Sequence, residues 1–283
     1  MSSILSNIKT IFRLWHQYAK MDLLWLLRDT RYCLIQIFSD AVTALASVSA
    51  VLLISRKFGG IAGMSFEEML FLCGFAVLID GFILLFFGGN NIAYISRIIG
   101  RGQLDHMLIQ PVPLWIQLLT GGFMPFSGSS KLLCGIVLTV ISLRRLAFTV
   151  TPLWVLWLIL NILCSAAIIL SFVYVFSCCA FYAPVAAEEI AMVIHDLFSD
   201  TKTYPLAGLT KRGATVFCSI LPVGLAAWFP AEMMLGKTPA GLPGITFYLA
   251  AALWCAAAVL LFRKGLIHYG KYSSNRYTGF GHR

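Results

Sequence analysis

The chain has 283 residues, 59% of them hydrophobic, and its 21 basic and 12 acidic side chains make up only 12% of the sequence. Soluble domains carry about 25% charged residues and need that polar surface to face water, so a soluble globular enzyme, a disordered chain and a secreted disulfide scaffold are all excluded. A mean hydropathy of +0.85 instead marks an all-α polytopic membrane protein, in which a net charge of +9 speaks to topology and not to nucleic acid.

Residues 4–19 place Ile4, Ile8, Ile11, Phe12, Trp15, Tyr18 and Ala19 on one helical face, with Lys9, Arg13, Gln17 and Lys20 away from it. That pattern predicts an N-terminal amphipathic helix lying in the membrane interface, within a lead-in of residues 1–31. Apolar stretches long enough for about 30 Å of hydrocarbon follow at 32–55, 67–89, 118–143, 153–181, 213–231 and 245–262, giving six transmembrane helices over 32–262. The third is interrupted by Gly121, Gly122, Pro125, Gly128 and Lys131, and is expected to begin as a short interfacial helix and cross only after Ser130. The fourth should end at the Tyr182–Pro184 break.

With both ends in the cytosol, the inner segments 1–31, 90–117, 182–212 and 263–283 carry 15 Lys and Arg, against 5 in the outer loops. Fifteen against five satisfies the positive-inside rule and places the C-terminal tail 263–283 in the cytosol. Residues 185–204 hold Glu188, Glu189, His195, Asp196, Asp200 and Lys202. Hydropathy favours leaving them in the cytosol. The other reading makes them a half-buried span shielded by protein, with 209–235 a folded-back outer element.

Few side chains suggest chemistry. The eight cysteines lie almost entirely in apolar stretches without a CxxC pair, the five histidines are scattered, and neither pattern builds a metal site. Gly236-Lys237-Thr238 looks like the tail of a phosphate-binding loop, but Ala231 stands where its first glycine belongs and Pro239 follows where a helix should begin. The chain is therefore expected to have no catalytic residues and to hydrolyse no nucleotide itself. Two acids, Asp40 and Asp80, fall well inside spans. A carboxylate facing lipid costs about 2.5–3.5 kcal/mol on insertion scales, so each should face protein or water. They either join two spans structurally, with Lys131 as counter-charge, or line a substrate path that attracts cationic or amphiphilic molecules.

The connector between the second and third spans, within 90–117, carries an Ile92, Ile95, Ile99 stripe and, on another face, Arg97, Arg101 and Asp105 at i, i+4 and i+8. Gly100 and Gly102 permit a bend, and Pro111 and Pro113 end the element. A short charged helix at the cytosolic side of a bundle is a surface for a soluble partner.

This connector contains Gly102-Gln-Leu-Asp-His-Met-Leu-Ile-Gln-Pro111, which resembles the G-x-L-D-x-x-L-x-x-P signature of permeases of ABC-2-type exporters. Tyr204-Pro205-Leu206, the run from Pro230 through Ala231 to Gly236, and Phe262-Arg-Lys-Gly-Leu-Ile-His-Tyr269 with Ser273 and Ser274 are similar to further stretches of one bacterial branch of that family. Gly59-Gly60 before Glu67-Glu68 also fits. The departures are Phe262 where Trp is common, Met234 for a leucine, a basic residue at Arg101 one position later than usual, and the charge in 185–204.

The resemblance implies a six-span permease of the bacterial inner membrane that pairs with itself or a sister permease and binds separate ATP-binding subunits, with no cofactor of its own. It also implies that the N-terminal helix and the connector, a coupling helix, meet those subunits. On that basis Arg97, Arg101 and Asp105 are the expected coupling residues. A membrane-embedded lipid-modifying transferase should show more acids near one membrane face than two, and a structural or channel-forming protein is distinguished from a permease only by the family signature.

Overall fold

The computed structural model describes residues 2–88, 95–100, 102–209 and 211–272. Helix α1 (Ser2–Arg28) is followed almost without a break by α2 (Thr30–Phe58), which stops at Gly59 in the left-handed region, φ 71°. A two-residue hairpin, β1 (Gly60–Ile61) against β2 (Met64–Ser65), returns the chain into α3 (Phe66–Phe87). The start of α3 is fixed by a capping box. The Ser65 hydroxyl accepts from the Glu68 amide at 3.3 Å, and the Glu68 carboxylate accepts from the Ser65 amide at 2.9 Å. This end of the bundle is the hairpin end, and the opposite one the connector end.

At the connector end lie three short helices, α4 (Ile95–Gly100), α5 (Gln103–Leu108) and α6 (Leu114–Thr120). The chain then runs along the bundle as α7 (Ser129–Arg145) and α8 (Pro152–Ser177), and a turn of 3-10 helix at Cys178–Phe181 leads to α9 (Pro184–Thr201). Three more short helices follow, α10 (Lys211–Ser219), α11 (Val223–Ala226) and α12 (Trp228–Met234), before the long α13 (Ile245–Tyr272). The helices over Thr30–Phe58, Phe66–Phe87, Pro152–Phe181 and Ile245–Lys271 are long and apolar enough to cross a membrane.

Helix α7 begins at Ser129, after the glycines and proline that interrupt the stretch before it. Its 17 residues span only about 26 Å, yet they pack on α3 backbone to backbone. A Cβ on Gly81 would sit 2.3 Å from the Leu132 amide nitrogen, and one on Gly135 would sit 2.5 Å from that of Leu78. Lipid gives two apolar helices no hydrophobic reason to associate, so close approach over small residues supplies the attraction instead. Around this contact Phe71, Phe75 and Ile79 of α3 are wholly buried, with Phe172 of α8 and Phe229 of α12 in the same core.

The stretch 213–231 is not the single spanning helix that hydropathy favours. Ser219 ends α10, Pro222 and the 3.0 Å approach of a Gly224 Cβ to the Cys218 sulfur mark a tight reversal, and α11 and α12 fold back at the hairpin end. There the Trp154 indole donates to the Met234 carbonyl at 3.3 Å, and Lys237 pairs with Glu68 at 2.7 Å. The element running the length of the bundle in its place is α9 with the residues after it. It starts beside the connector, buries Phe198 against Phe172 (ring centroids 5.2 Å apart), and ends with Gly208 against Ala62 of the hairpin loop. Of its charged side chains, the buried Lys202 is paired with Asp80 of α3.

The N-terminal helix is longer than the 4–19 stripe and docks along one edge. Trp15 packs between Phe86 and Phe123, both with ring centroids 5.7 Å away, while Lys9, Arg13, Gln17 and Lys20 are exposed. The buried Asp22 carboxylate accepts from the amides of Phe126 (2.8 Å) and Ser127 (3.2 Å) and from the Ser127 hydroxyl (2.6 Å). It thereby satisfies the irregular 121–128 segment that leads into α7, where backbone amides would otherwise lack partners.

Candidate functional site

Two sites emerge, one at the connector end and one within the bundle. At the connector end, Ile95, Ile99 and Leu104 are wholly buried in a second apolar cluster, separate from the main core, with Cys178, Ala180, Phe181 and Tyr269. Phe181 stacks edge-on with Phe262 at 5.4 Å and with Tyr269 at 5.9 Å, and a Cβ on Gly265 would collide with the Phe181 ring. Hence α4 is packed against α9 and the 3-10 turn, and the 3-10 turn itself against the last turns of α13. The Gln117 side-chain amide donates to the carbonyls of Met107 (2.8 Å) and Val112 (2.7 Å), pinning the exit of the connector to α6.

The isoleucine stripe was legible in the sequence, but the single helix was not. Gly102 adopts φ 71° and separates α4 from α5, so Arg97 and Asp105 lie on two helices and do not share one face. Asp105 is exposed, Arg97 is half-buried and engaged by the surrounding structure, and Arg101 and Ile92 lie outside the described residues. The residues that hold the connector in place, Phe181, Gly265 and Tyr269, were quoted in part as motif letters and not as a packing cluster. A signal was present: Phe262, Gly265 and Tyr269 recur at i, i+3 and i+7, one face of a helix.

Within the bundle, α2, α3, α7 and α9 enclose a cavity of about 200 Å³ lined by Thr43, Ser47, Asp80, Lys131, His195 and Asp200, among others. Asp80 lines it, whereas Asp40, on α2, is not among its lining residues. The counter-charge of Asp80 is Lys202, not Lys131: the Lys202 ammonium lies 2.5 Å from the Asp80 carboxylate and is only 2% exposed. Lys131 is the charge that acts on Asp40, across the α2–α7 contact. The two acids thus have different basic neighbours, of which only Lys202 forms an ion pair, with Asp80. A half-buried histidine, a cationic side chain and two carboxylates around one cavity can hold water or a small polar group at membrane depth. Lys202 was hidden in sequence because its run of acids reads as a solvated loop.

The described residues form a helical bundle, four of whose helices are long and apolar enough to cross a membrane, with a separately packed, connector-bearing layer at one end. The model of a family described as "ABC-2 family transporter protein" matches residues 41–273. The chain belongs to that family. Neither the comparison with curated proteins nor that with solved structures found a match. The matched region takes in both sites, and the motif letters fall at the two ends of the bundle: Gly102, Leu104, Gly265 and Tyr269 at the connector end, Pro230–Gly236 at the hairpin end.

Proposed function

We propose that the chain is the permease subunit of an ATP-driven exporter in a bacterial inner membrane, working as a dimer with itself or a sister permease. ATP is bound and hydrolysed by separate partner subunits that dock on the connector end. The observation that carries this reading is the packing of α4 into the bundle within a chain of this family: a connector tied to α9 and to the 3-10 turn, which itself packs on α13, transmits a push, whereas a solvated loop would absorb it.

Six crossings follow if α9 supplies the fifth and α10–α12 cap the outer side. Moving Lys211 and Arg212 outside and Lys202 into the membrane leaves twelve basic residues inside and seven outside, so both ends stay cytosolic. In this scheme the stroke enters at α4, passes to α9 through their contact, and reaches the cavity through the Lys202–Asp80 pair. A separate base for each acid makes Asp80 the acid that senses the stroke and Asp40 the one that holds α2 to α7. The test is copurification of the tagged chain in mild detergent with a nucleotide-binding subunit whose ATPase activity rises on association. A chain that transports with no such subunit bound contradicts the proposal.

A further inference from the structure

On the connector half of the bundle, α6, α8 and α13 leave between them a groove of about 690 Å³ that belongs to neither site above. Its walls are almost wholly apolar, including Trp115 and Leu118 of α6, Leu170 of α8, and Val259 and Phe262 of α13. It opens sideways: Trp115 is 52% exposed and Val259 50%, so the mouth faces the lipid and not a neighbouring helix. The volume falls within the ordinary range of small-molecule sites, about 300–1,000 Å³. From Cys255 to Leu266 the groove runs eleven residues along α13, about 16 Å, parallel to the acyl chains of a surrounding bilayer.

Its depth is equally informative. Cys255 lies about 15 Å from the hairpin-end start of α13, near the bilayer midplane, whereas Arg263 lies about 27 Å from it, at the edge of about 30 Å of hydrocarbon. Arg263 lines the groove, is exposed, and has no acidic partner among the described residues. Lys264 beside it is exposed as well. An apolar slot at acyl-chain depth that ends in an unpaired guanidinium at phosphate depth is complementary to one kind of molecule.

We propose that this groove is a binding site for an anionic membrane phospholipid, with an acyl chain between α6, α8 and α13 and its phosphate on Arg263. The lipid would bridge α6, which Gln117 ties to the connector, to the last turns of α13, so its occupancy would stiffen the connector layer. The leaflet that supplies the lipid rests on the orientation proposed above. The existence of the site does not.

The test uses the full chain reconstituted in vesicles of phosphatidylcholine containing phosphatidylglycerol with a photoactivatable group in its acyl chain, present in both leaflets so that orientation does not enter. Labelled peptides from 114–119, 167–174 and 255–266 are expected to exceed those from the lipid-exposed face of α2 around Phe38, and excess unlabelled phosphatidylglycerol, but not phosphatidylcholine, should suppress them. Arg263→Gln should weaken groove labelling about fivefold, the effect of one basic contact near an anionic surface. Val259→Trp, placed at the open mouth so that it need not disturb the core, should abolish it. Label on α2 should be unchanged in both, which also reports that the variants insert and fold. Native-level groove labelling in Arg263→Gln, equal suppression by the zwitterionic lipid, or undiminished labelling in Val259→Trp would overturn the site.

Discussion

The main core and the connector layer are both apolar, yet they are built in opposite ways. The core joins long helices through backbone contact, where Gly81 meets Leu132 and Gly135 meets Leu78 with no room for a methyl group. The connector layer packs helices of six residues into a cluster of side chains, with isoleucines and a leucine set among Phe181, Phe262 and Tyr269. A six-residue helix has no stability of its own and exists only while its partners hold it. Backbone contact makes a rigid frame, and side-chain packing of short pieces makes a layer that can shift without unfolding. A transport component driven from outside the membrane needs both.

The largest effect should come from the frame. Gly81→Leu puts carbon where the α7 backbone lies, which cannot yield, and should cost about 4 kcal/mol or more, seen as loss of monodisperse protein from membranes. In the layer, Gly265→Ala meets only the Phe181 ring, which can turn. It should cost about 1–3 kcal/mol of thermal stability and leave the protein inserted. If the two variants behave alike, the contrast between frame and layer is wrong.

Next comes the buried pair. Asp80→Asn strands the Lys202 ammonium and should cost about 3–5 kcal/mol, whereas Asp80→Asn with Lys202→Met should recover most of that loss. Equal melting temperatures for the single and double variants would show that the pair is not a coupled unit. The corresponding change at Asp40 should leave Lys202 undisturbed and cost less.

The smallest effect lies in the cap at the hairpin end. Burial pushes the Glu232 carboxyl above the usual carboxylate range, with Lys237 opposing. A carboxyl that holds its proton more tightly folded than unfolded adds stability in acid, and that gain is lost as pH rises from about 4.3 toward the folded value. Thermal melts of the native chain should therefore show an acid-side gain at this group that Glu232→Gln, neutral at every pH, lacks. A variant with the same pH profile as the native chain would remove Glu232 from the cap's electrostatics.

Much of the frame was legible in sequence. Composition gave the membrane, hydropathy the four long helices, and Gly121, Pro125 and Gly128 the late start of α7. The path of 185–209 along the bundle was missed for a physical reason: hydropathy scores each residue alone, and the buried Lys202 becomes tolerable only through Asp80, far away in sequence. The same limit hid the connector's geometry. Arg97, Arg101 and Asp105 have helical spacing, but a single left-handed residue, Gly102, breaks the face they would share. The family motifs were readable as letters, while their common purpose, packing one end of α13 against the connector, needed the fold.

The central claim, that the connector end receives the stroke of a partner ATPase, is tested most directly by the Arg97→Glu/Arg101→Glu double variant in reconstituted vesicles. An interfacial charge that loses its partner costs about 2–5 kcal/mol when buried and little at a rim. The account predicts that the variant still inserts but releases the ATP-binding subunit or hydrolyses ATP without transport. Native-level binding and transport by the double variant would contradict it.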